Sequence, residues 1–177
     1  MKRYFLNFGL ILLGLFCFWG DVKAANITAS DDGVAPLYVH FFDEDASASD
    51  GVGLEPFHDY YYSWDFDDPG SGTWGSDGKT RNGATGPVSA HVYENQGTYT
   101  VSLTVIDSLS GTTIGTDTYT VTVNDPDTIY AGTLTTCVNT NSDNNFSGCP
   151  SGANQIQTDD ITSITSYADA GERILFK

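Results

Sequence analysis

Basic side chains are scarce in this chain. Its 177 residues include seven Lys and Arg against 23 Asp and Glu, which gives a formal net charge of −16 at pH 7. A chain with this charge repels nucleic acid and anionic membrane surfaces, and it attracts cations. We therefore expect no nucleic-acid partner. Most of the acidity fits a solvated surface, and specific calcium binding is the alternative use.

The sequence also lacks an apolar run of the about 20 residues that a membrane-spanning helix needs. The shorter run over residues 4–19 follows two basic residues and ends before Ala24, an order that is typical of a secretory signal peptide. We predict cleavage of residues 1–24, which leaves a secreted or cell-surface protein with no membrane anchor and a net charge of −18. A lipoprotein anchor on Cys17 is the alternative, but Phe16 stands where a small residue belongs.

Cysteine is rare as well. After cleavage the remaining cysteines are Cys137 and Cys149, and an exported protein meets oxidising conditions in which disulfides persist. We predict a disulfide between them. The segment that they enclose contains no histidine, which argues against a zinc site.

Sustained helical periodicity is absent after residue 24, whereas several segments alternate apolar and polar residues with a period of two. This pattern predicts an all-β fold of two stacked antiparallel sheets. Residues 43–59 and 69–87 are the longest irregular stretches and the candidate functional loops. The inward-facing residues are predicted to be Leu37, Val39 and Phe41; Tyr60, Tyr62, Trp64 and Phe66; Tyr99, Val101, Leu103 and Val105; and Tyr119, Val121 and Val123.

A domain boundary is predicted where the turn-forming residues 124–127 end the last alternating segment, because Pro126 cannot donate to a strand ladder. We assign residues 25–125 to the β-sandwich and residues 126–177 to an incomplete second module. In that module, apolar residues at helical spacing begin at Ile161, and the closing residues 173–177 read as the beginning of a strand.

Four motifs in the first module resemble the PKD domain family in order and spacing: Trp64-Asp65-Phe66, His91-Val92-Tyr93, Gly97-Thr98-Tyr99 and Leu103-Thr104-Val105. The resemblance implies an immunoglobulin-like sandwich that acts as a spacer or interaction domain. Trp64 would fill the core between the sheets, and Tyr99 after Gly97 would form a tyrosine corner. Asp67 departs from the family, which commonly has glycine there, but aspartate tolerates a left-handed turn better than most residues.

The second module has a fainter resemblance. The segment from Cys137 to Cys149, followed by residues 168–177, is similar to the start of a right-handed parallel β-helix of the pectate-lyase-like kind. That resemblance implies that the parent protein acts on polysaccharides.

No catalytic site is predicted within these residues. His40, His58 and His91 occur without a Gly-x-Ser-x-Gly or His-Glu-x-x-His motif. Close pairs of carboxylates, which glycoside hydrolysis would need, are expected from composition alone in so acidic a chain.

Two kinds of binding site are candidates. Calcium takes six to eight oxygen ligands from carboxylates and loop carbonyls, and acidic residues at the predicted strand ends could converge in loops at one end of the sandwich. These residues are Asp43, Asp45, Asp67, Asp68 and Asp107. Exposed aromatic side chains could instead stack on sugar rings, and the candidates are Trp74, Tyr61 and Tyr38.

The leading hypothesis is a secreted non-catalytic module that spaces, orients or binds, with a polysaccharide or an extracellular protein as its partner. One alternative is the N-terminal non-catalytic part of a carbohydrate-active lyase or hydrolase. The other is an adhesion module stiffened by calcium.

Overall fold

The computed structural model describes residues 25–30, 32–47 and 56–176. The predicted signal peptide, residues 1–24, lies outside these ranges. No helix within them is long and apolar enough to cross a membrane.

The first part of the described chain consists of short strands. They are β1 (Ile27–Ala29), β2 (Gly33–Val34), β3 (Leu37–Asp43), β4 (Tyr60–Asp65), β5 (Gly83–Thr85), β6 (Val88–Tyr93), β7 (Gly97–Asp107) and β8 (Thr113–Asn124). One sheet has the order β1–β3–β6 and the other the order β2–β8–β7–β4–β5. Neighbouring strands are antiparallel except in the short pairing of β2 with β8.

The two sheets enclose one hydrophobic core. Their strands alternate buried and exposed residues as predicted, and β3 buries Val39 and Phe41 completely. Phe41 reaches across to the other sheet, where its ring centroid lies 5.9 Å from that of Trp64 and 5.6 Å from that of Phe66. The predicted all-β, immunoglobulin-like sandwich is confirmed.

The long hairpin of β7 and β8 forms the centre of the larger sheet. Its outer face is rich in threonine, whose β-branched side chain suits a half-buried pleated surface. Asp107 ends β7 and stabilises the turn that follows, because its carboxylate accepts hydrogen bonds from the backbone N–H groups of Leu109 (3.1 Å) and Ser110 (2.6 Å). Gly111 completes the turn with a φ of 70°, a conformation that favours glycine.

The irregular stretches contain more structure than the sequence predicted. The first holds a 3₁₀ helix, Glu44–Ser47, and the helical turn α1, Pro56–Asp59. The second holds a 3₁₀ helix, Pro69–Ser71, and the strand β5. The expectation of an irregular 69–87 segment is therefore wrong for β5, which is three residues long and too short to show a period of two.

Beyond Asn124 the chain forms a separate small sheet. The helical turn α2 (Pro126–Ile129) precedes this sheet. Asp125 caps α2 by accepting a hydrogen bond from the Asp127 backbone N–H (2.8 Å). Three parallel strands follow, with β9 in the centre. They are β9 (Thr135–Asn139), β10 (Asn154–Gln157) and β11 (Arg173–Phe176).

A disulfide and an amide network stabilise this sheet. The predicted disulfide is confirmed, since Cys137 in β9 is bonded to Cys149. Asn139 is fully buried at the end of β9, and its amide donates to the Asp143 carboxylate (2.7 Å) and to the Asn145 carbonyl (2.8 Å). Gln157, its partner in β10, donates to the Asn139 carbonyl (3.0 Å).

The apolar residues at helical spacing form a 3₁₀ helix, Ile161–Tyr167, which buries Ile164. The closing segment forms β11 as expected. However, β9 lies between β10 and β11, whereas the coils of a simple solenoid stack in sequence order.

Candidate functional site

A groove of about 400 Å³ lies beside β6, the edge strand of the smaller sheet. One wall comes from the strands and includes Tyr38 and Val92, which are register partners on β3 and β6. The other wall comes from the segment between β4 and β5 and includes Trp74 and Arg81. We call this cavity the aromatic groove.

A small ladder in the segment between β4 and β5 positions Trp74. Its backbone N–H donates to the Lys79 carbonyl (2.8 Å), and its carbonyl accepts from the Gly78 N–H (2.9 Å). Gly78 has a φ of 70°, a backbone conformation that favours glycine in a turn. The indole is 53% exposed and is therefore available to a ligand.

Arg81 packs on this tryptophan. Its Cζ lies 4.9 Å from the centroid of the Trp74 ring, a cation–π arrangement. Its backbone N–H donates to the Gly72 carbonyl (2.9 Å), which fixes the start of the side chain. The Nε atom is buried and has no hydrogen-bond partner in the described part of the chain.

The floor of the aromatic groove contains a buried hydrogen-bonded pair, His91 and Asp68. His91 Nε2 lies 2.9 Å from Asp68 Oδ2, and both residues are buried. The imidazole stacks on Phe66 with a centroid distance of 4.6 Å and meets the edge of Tyr93 at the same distance. These contacts hold His91 and Asp68 in one orientation, so that they form a rigid base for the groove.

Tyr38 and Tyr61 are similarly exposed, at 59% and 50%, but they lie on different sheets. Tyr38 lines the aromatic groove together with Trp74. Tyr61 lies on β4 in the larger sheet, opposite Ile106 of β7. The structure thus brings together two of the three predicted sugar-stacking residues.

A second feature is a pair of carboxylates at the end of β3. Asp43 is buried, and its Oδ1 accepts hydrogen bonds from the backbone N–H groups of Asn26 (2.8 Å) and Asp45 (3.3 Å). The Oδ2 atoms of Asp43 and Asp45 are also buried, and neither has a hydrogen-bond partner among the described residues. Burial raises the pKa of Asp43 above its ordinary value, and the charges of Asp45 and Asp117 raise it further.

The five aspartates predicted to bind calcium do not converge. Asp107 pairs with Tyr60 at the first residue of β4, whereas Asp67 and Asp68 follow the last residue of that strand. The length of β4 therefore separates them by on the order of 20 Å. No group of three or more His, Cys, Asp or Glu within the described ranges could hold one metal ion. The expectation of one shared cluster is wrong, and Asp43 and Asp45 form a separate pair linked by the hydrogen bond from the Asp45 backbone N–H to the Asp43 carboxylate.

Comparison with protein families gives a match to the PKD domain model over residues 26–123, which is more than half of the chain. The chain belongs to the PKD domain family. No individual curated protein matches it significantly.

Solved structures similar to this PKD domain come from other proteins. The PKD1 domain of Vibrio anguillarum Epp has 30% identity and a TM-score of 0.34, and the match covers 58% of this chain and 93% of that domain. The PKD1 domain of the Vibrio cholerae metalloprotease PrtV has 26% identity and a TM-score of 0.36, with coverage of 56% and 94%. A structure of carbohydrate-binding modules from the β-sandwich superfamily has 27% identity and a TM-score of 0.36, with coverage of 70% and 38%.

The PKD motif residues hold the sandwich together. Trp64 is buried, and its indole N–H donates to the Gly86 carbonyl (2.7 Å). The Tyr99 hydroxyl donates to the Asn95 carbonyl (2.9 Å), which is the contact expected of a tyrosine corner. Asp67, at the position where the family commonly has glycine, has a φ of 58° and lies in the left-handed region.

The motif also shapes the aromatic groove. Asp65 accepts from the Asp67 backbone N–H (2.9 Å) and from the Asn82 side chain (2.9 Å), and Asp67 accepts from the Thr100 backbone N–H (2.9 Å). The Tyr93 hydroxyl donates to the Phe66 carbonyl (3.1 Å). These bonds fix the path of the chain where it leaves β4 and enters the groove wall.

Sequence reasoning missed Arg81 as a member of this PKD domain's groove. The available signal was a lone arginine in a Gly- and Asp-rich segment close to Trp74, in a chain with very few basic residues. PKD domains are typically non-catalytic, and the family assignment therefore agrees with an accessory or interaction role.

Proposed function

We propose that residues 25–125 are a secreted accessory module that binds polysaccharide through the aromatic groove. The observation that carries the proposal is that Tyr38 and Trp74, which are distant in sequence, line one groove. Aromatic faces pack on the C–H faces of sugar rings and bury apolar area. The volume of the groove lies within the range of about 300–1,000 Å³ that is typical of small-ligand sites.

The polar residues of the groove support the same function. Asp68, Glu94 and Asn95 line it and offer oxygen acceptors to sugar hydroxyl groups. The groove floor formed by His91 and Asp68 is rigid. A sugar would therefore bind without rearrangement of these side chains, which lowers the entropic cost of binding. An extracellular protein is the alternative partner.

Affinity electrophoresis against a panel of soluble polysaccharides tests this proposal. We expect retardation of the wild type in at least one polymer, and a loss of affinity of at least about tenfold in Y38A and in W74A. The matched control is Y61A, which removes a similarly exposed tyrosine from the other sheet and should bind like the wild type. Equal binding by all four proteins, or no binding to any polymer, would contradict the proposal.

A second proposed property is calcium binding at Asp43 and Asp45. Two buried carboxylate oxygens without hydrogen-bond partners are costly, and a calcium ion would compensate for their charge. Calcium should then raise the melting temperature by mass action. Millimolar calcium should stabilise the wild type more than magnesium does at equal ionic strength, and D45N should lose that difference. The same shift from both ions would contradict a specific site.

We further propose that residues 126–177 are the start of a β-helical module in a protein that acts on polysaccharides. The parallel pairing of β9 with β10 and with β11 supports this proposal, and the position of β9 between them makes the strand order differ from that of a simple solenoid. The rival is a calcium-stiffened adhesion protein. Depolymerisation of a polysaccharide by the natural full-length protein favours the enzyme, and calcium-dependent attachment to cells without depolymerisation favours adhesion.

A further inference from the structure

We propose that the aromatic groove selects sugars that carry an anion, a uronate carboxylate or a sulfate ester, and that Arg81 binds this anion. The inference rests on the proposed polysaccharide-binding function and specifies its ligand class. It depends on three observations at Arg81: its lack of a carboxylate partner, its stacking on Trp74 and its buried unpartnered Nε.

Arg81 lacks an acidic partner in a chain that has a large excess of acid. Two other basic residues among those described form ion pairs. Lys79 Nζ lies 3.5 Å from Asp77 Oδ2, and Arg173 Nη2 lies 2.7 Å from Asp127 Oδ1. Arg81 forms no ion pair within the described part of the chain. The chain has 23 acidic residues, yet none of the described ones pairs with Arg81. We therefore infer that the Arg81 guanidinium binds a ligand.

The terminal N–H groups of the Arg81 guanidinium are neither buried nor hydrogen-bonded within the described part of the chain, whereas its Nε is buried. The guanidinium Cζ lies over the Trp74 ring, 4.9 Å from its centroid. No side-chain N–H of Arg81 donates to another residue in the described ranges. A planar guanidinium with a free edge matches two oxygens of a carboxylate or sulfate in a bidentate pair.

The buried Nε gives a reason for a strong acceptor. An unmade hydrogen bond at a buried donor is costly, and Arg81 Nε is such a donor. A guanidinium can only donate, so its complement is a group that only accepts. Sugar hydroxyls both donate and accept, whereas carboxylate and sulfate oxygens only accept.

The rest of the groove fits the remainder of such a sugar. Tyr38 and Trp74 offer apolar faces to the ring, and Glu94 offers an acceptor to its hydroxyl groups. The negative charges elsewhere in the chain are screened beyond about 8 Å at 0.15 M salt, whereas Asp68 and Glu94 line the groove and disfavour an anion that is placed away from Arg81. Contact at Arg81 then decides the preference.

The test compares polygalacturonate with the same polymer after methyl esterification, which removes the charge and keeps the sugar backbone. Binding is measured by isothermal titration at about 0.15 M salt, with EDTA present so that calcium cannot bridge two anions. We expect the wild type to bind polygalacturonate at least about tenfold more tightly than the ester. Dextran sulfate and dextran form the matching pair for sulfate, because dextran carries no charge, and preference for one charged polymer over its neutral partner identifies the anion.

R81Q should lose this preference, and R81K should lose part of it because lysine keeps the charge but not the bidentate edge. W74A should lose affinity for charged and neutral polymers alike. Melting curves of each variant show whether it is folded, and an unfolded R81Q leaves R81K as the test variant.

The outcomes separate the two proposals. If the wild type binds the neutral polymers as tightly as the charged ones, or if folded R81Q and R81K keep the full preference, the anion inference is overturned while polysaccharide binding stands. If no polymer of either charge binds, both proposals fail.

Discussion

Replacing Leu103 with alanine tests the core and the strand register together. Leu103 is fully buried on β7, opposite Trp64 of β4, whereas Leu109 in the following turn is 96% exposed. The substitution removes three buried side-chain carbons, and the loss of their burial lowers the free energy of unfolding by about 2.4 kcal/mol at about 0.8 kcal/mol each. The cavity left behind adds about 1 kcal/mol, so that L103A should lower the free energy of unfolding by about 3.5 kcal/mol.

The matched control is L109A, which should change the free energy of unfolding by less than about 0.5 kcal/mol. Urea unfolding followed by the fluorescence of the buried Trp64 measures both variants. With a slope of about 2 kcal/mol per M urea, the midpoint of L103A should fall by nearly 2 M. A one-residue slip of β7 would turn Leu103 outward, so equal midpoints for the two variants would refute the observed register.

Three further predictions concern the modules and the charges. A fragment of residues 25–125 should unfold cooperatively, because the sandwich core lies between Ala25 and Val123; a random-coil circular dichroism spectrum would contradict the boundary. The double variant C137A/C149A should lower the free energy of local unfolding around β9 by about 3 kcal/mol. Hydrogen exchange in β9 should then be faster, while the unfolding transition followed by Trp64 fluorescence stays unchanged. In EDTA, D43N should be more stable than the wild type at pH 7. The pKa of Asp43 is raised in the folded state, so the wild type loses stability as the pH rises and this carboxyl group becomes charged. Urea midpoints at pH 7 and pH 3 check this sign, and the gain should vanish at pH 3.

The calcium prediction shows where a sequence pattern stops being informative. Acidic residues at strand ends were recognisable in the sequence, but their roles in the structure differ. Asp107 stabilises a turn, Asp68 pairs with His91, and Asp43 remains with an unpartnered oxygen. Which role each carboxylate takes depends on the end of the sandwich at which it lies, and strand pairing alone determines that.

The amino-acid sequence by itself determined the inward faces of the strands, the PKD motifs and the cysteine pair. The inward faces are a local feature, because alternate side chains of a strand point to the same face regardless of which strand it pairs with. Only the tertiary structure decided that Tyr38 and Trp74 share a groove with Arg81 while Tyr61 lies on the other sheet. That neighbourhood depends on long-range pairing between β3 and β6 and on the path of the chain between β4 and β5, which is set by packing across the core and has no counterpart in local sequence.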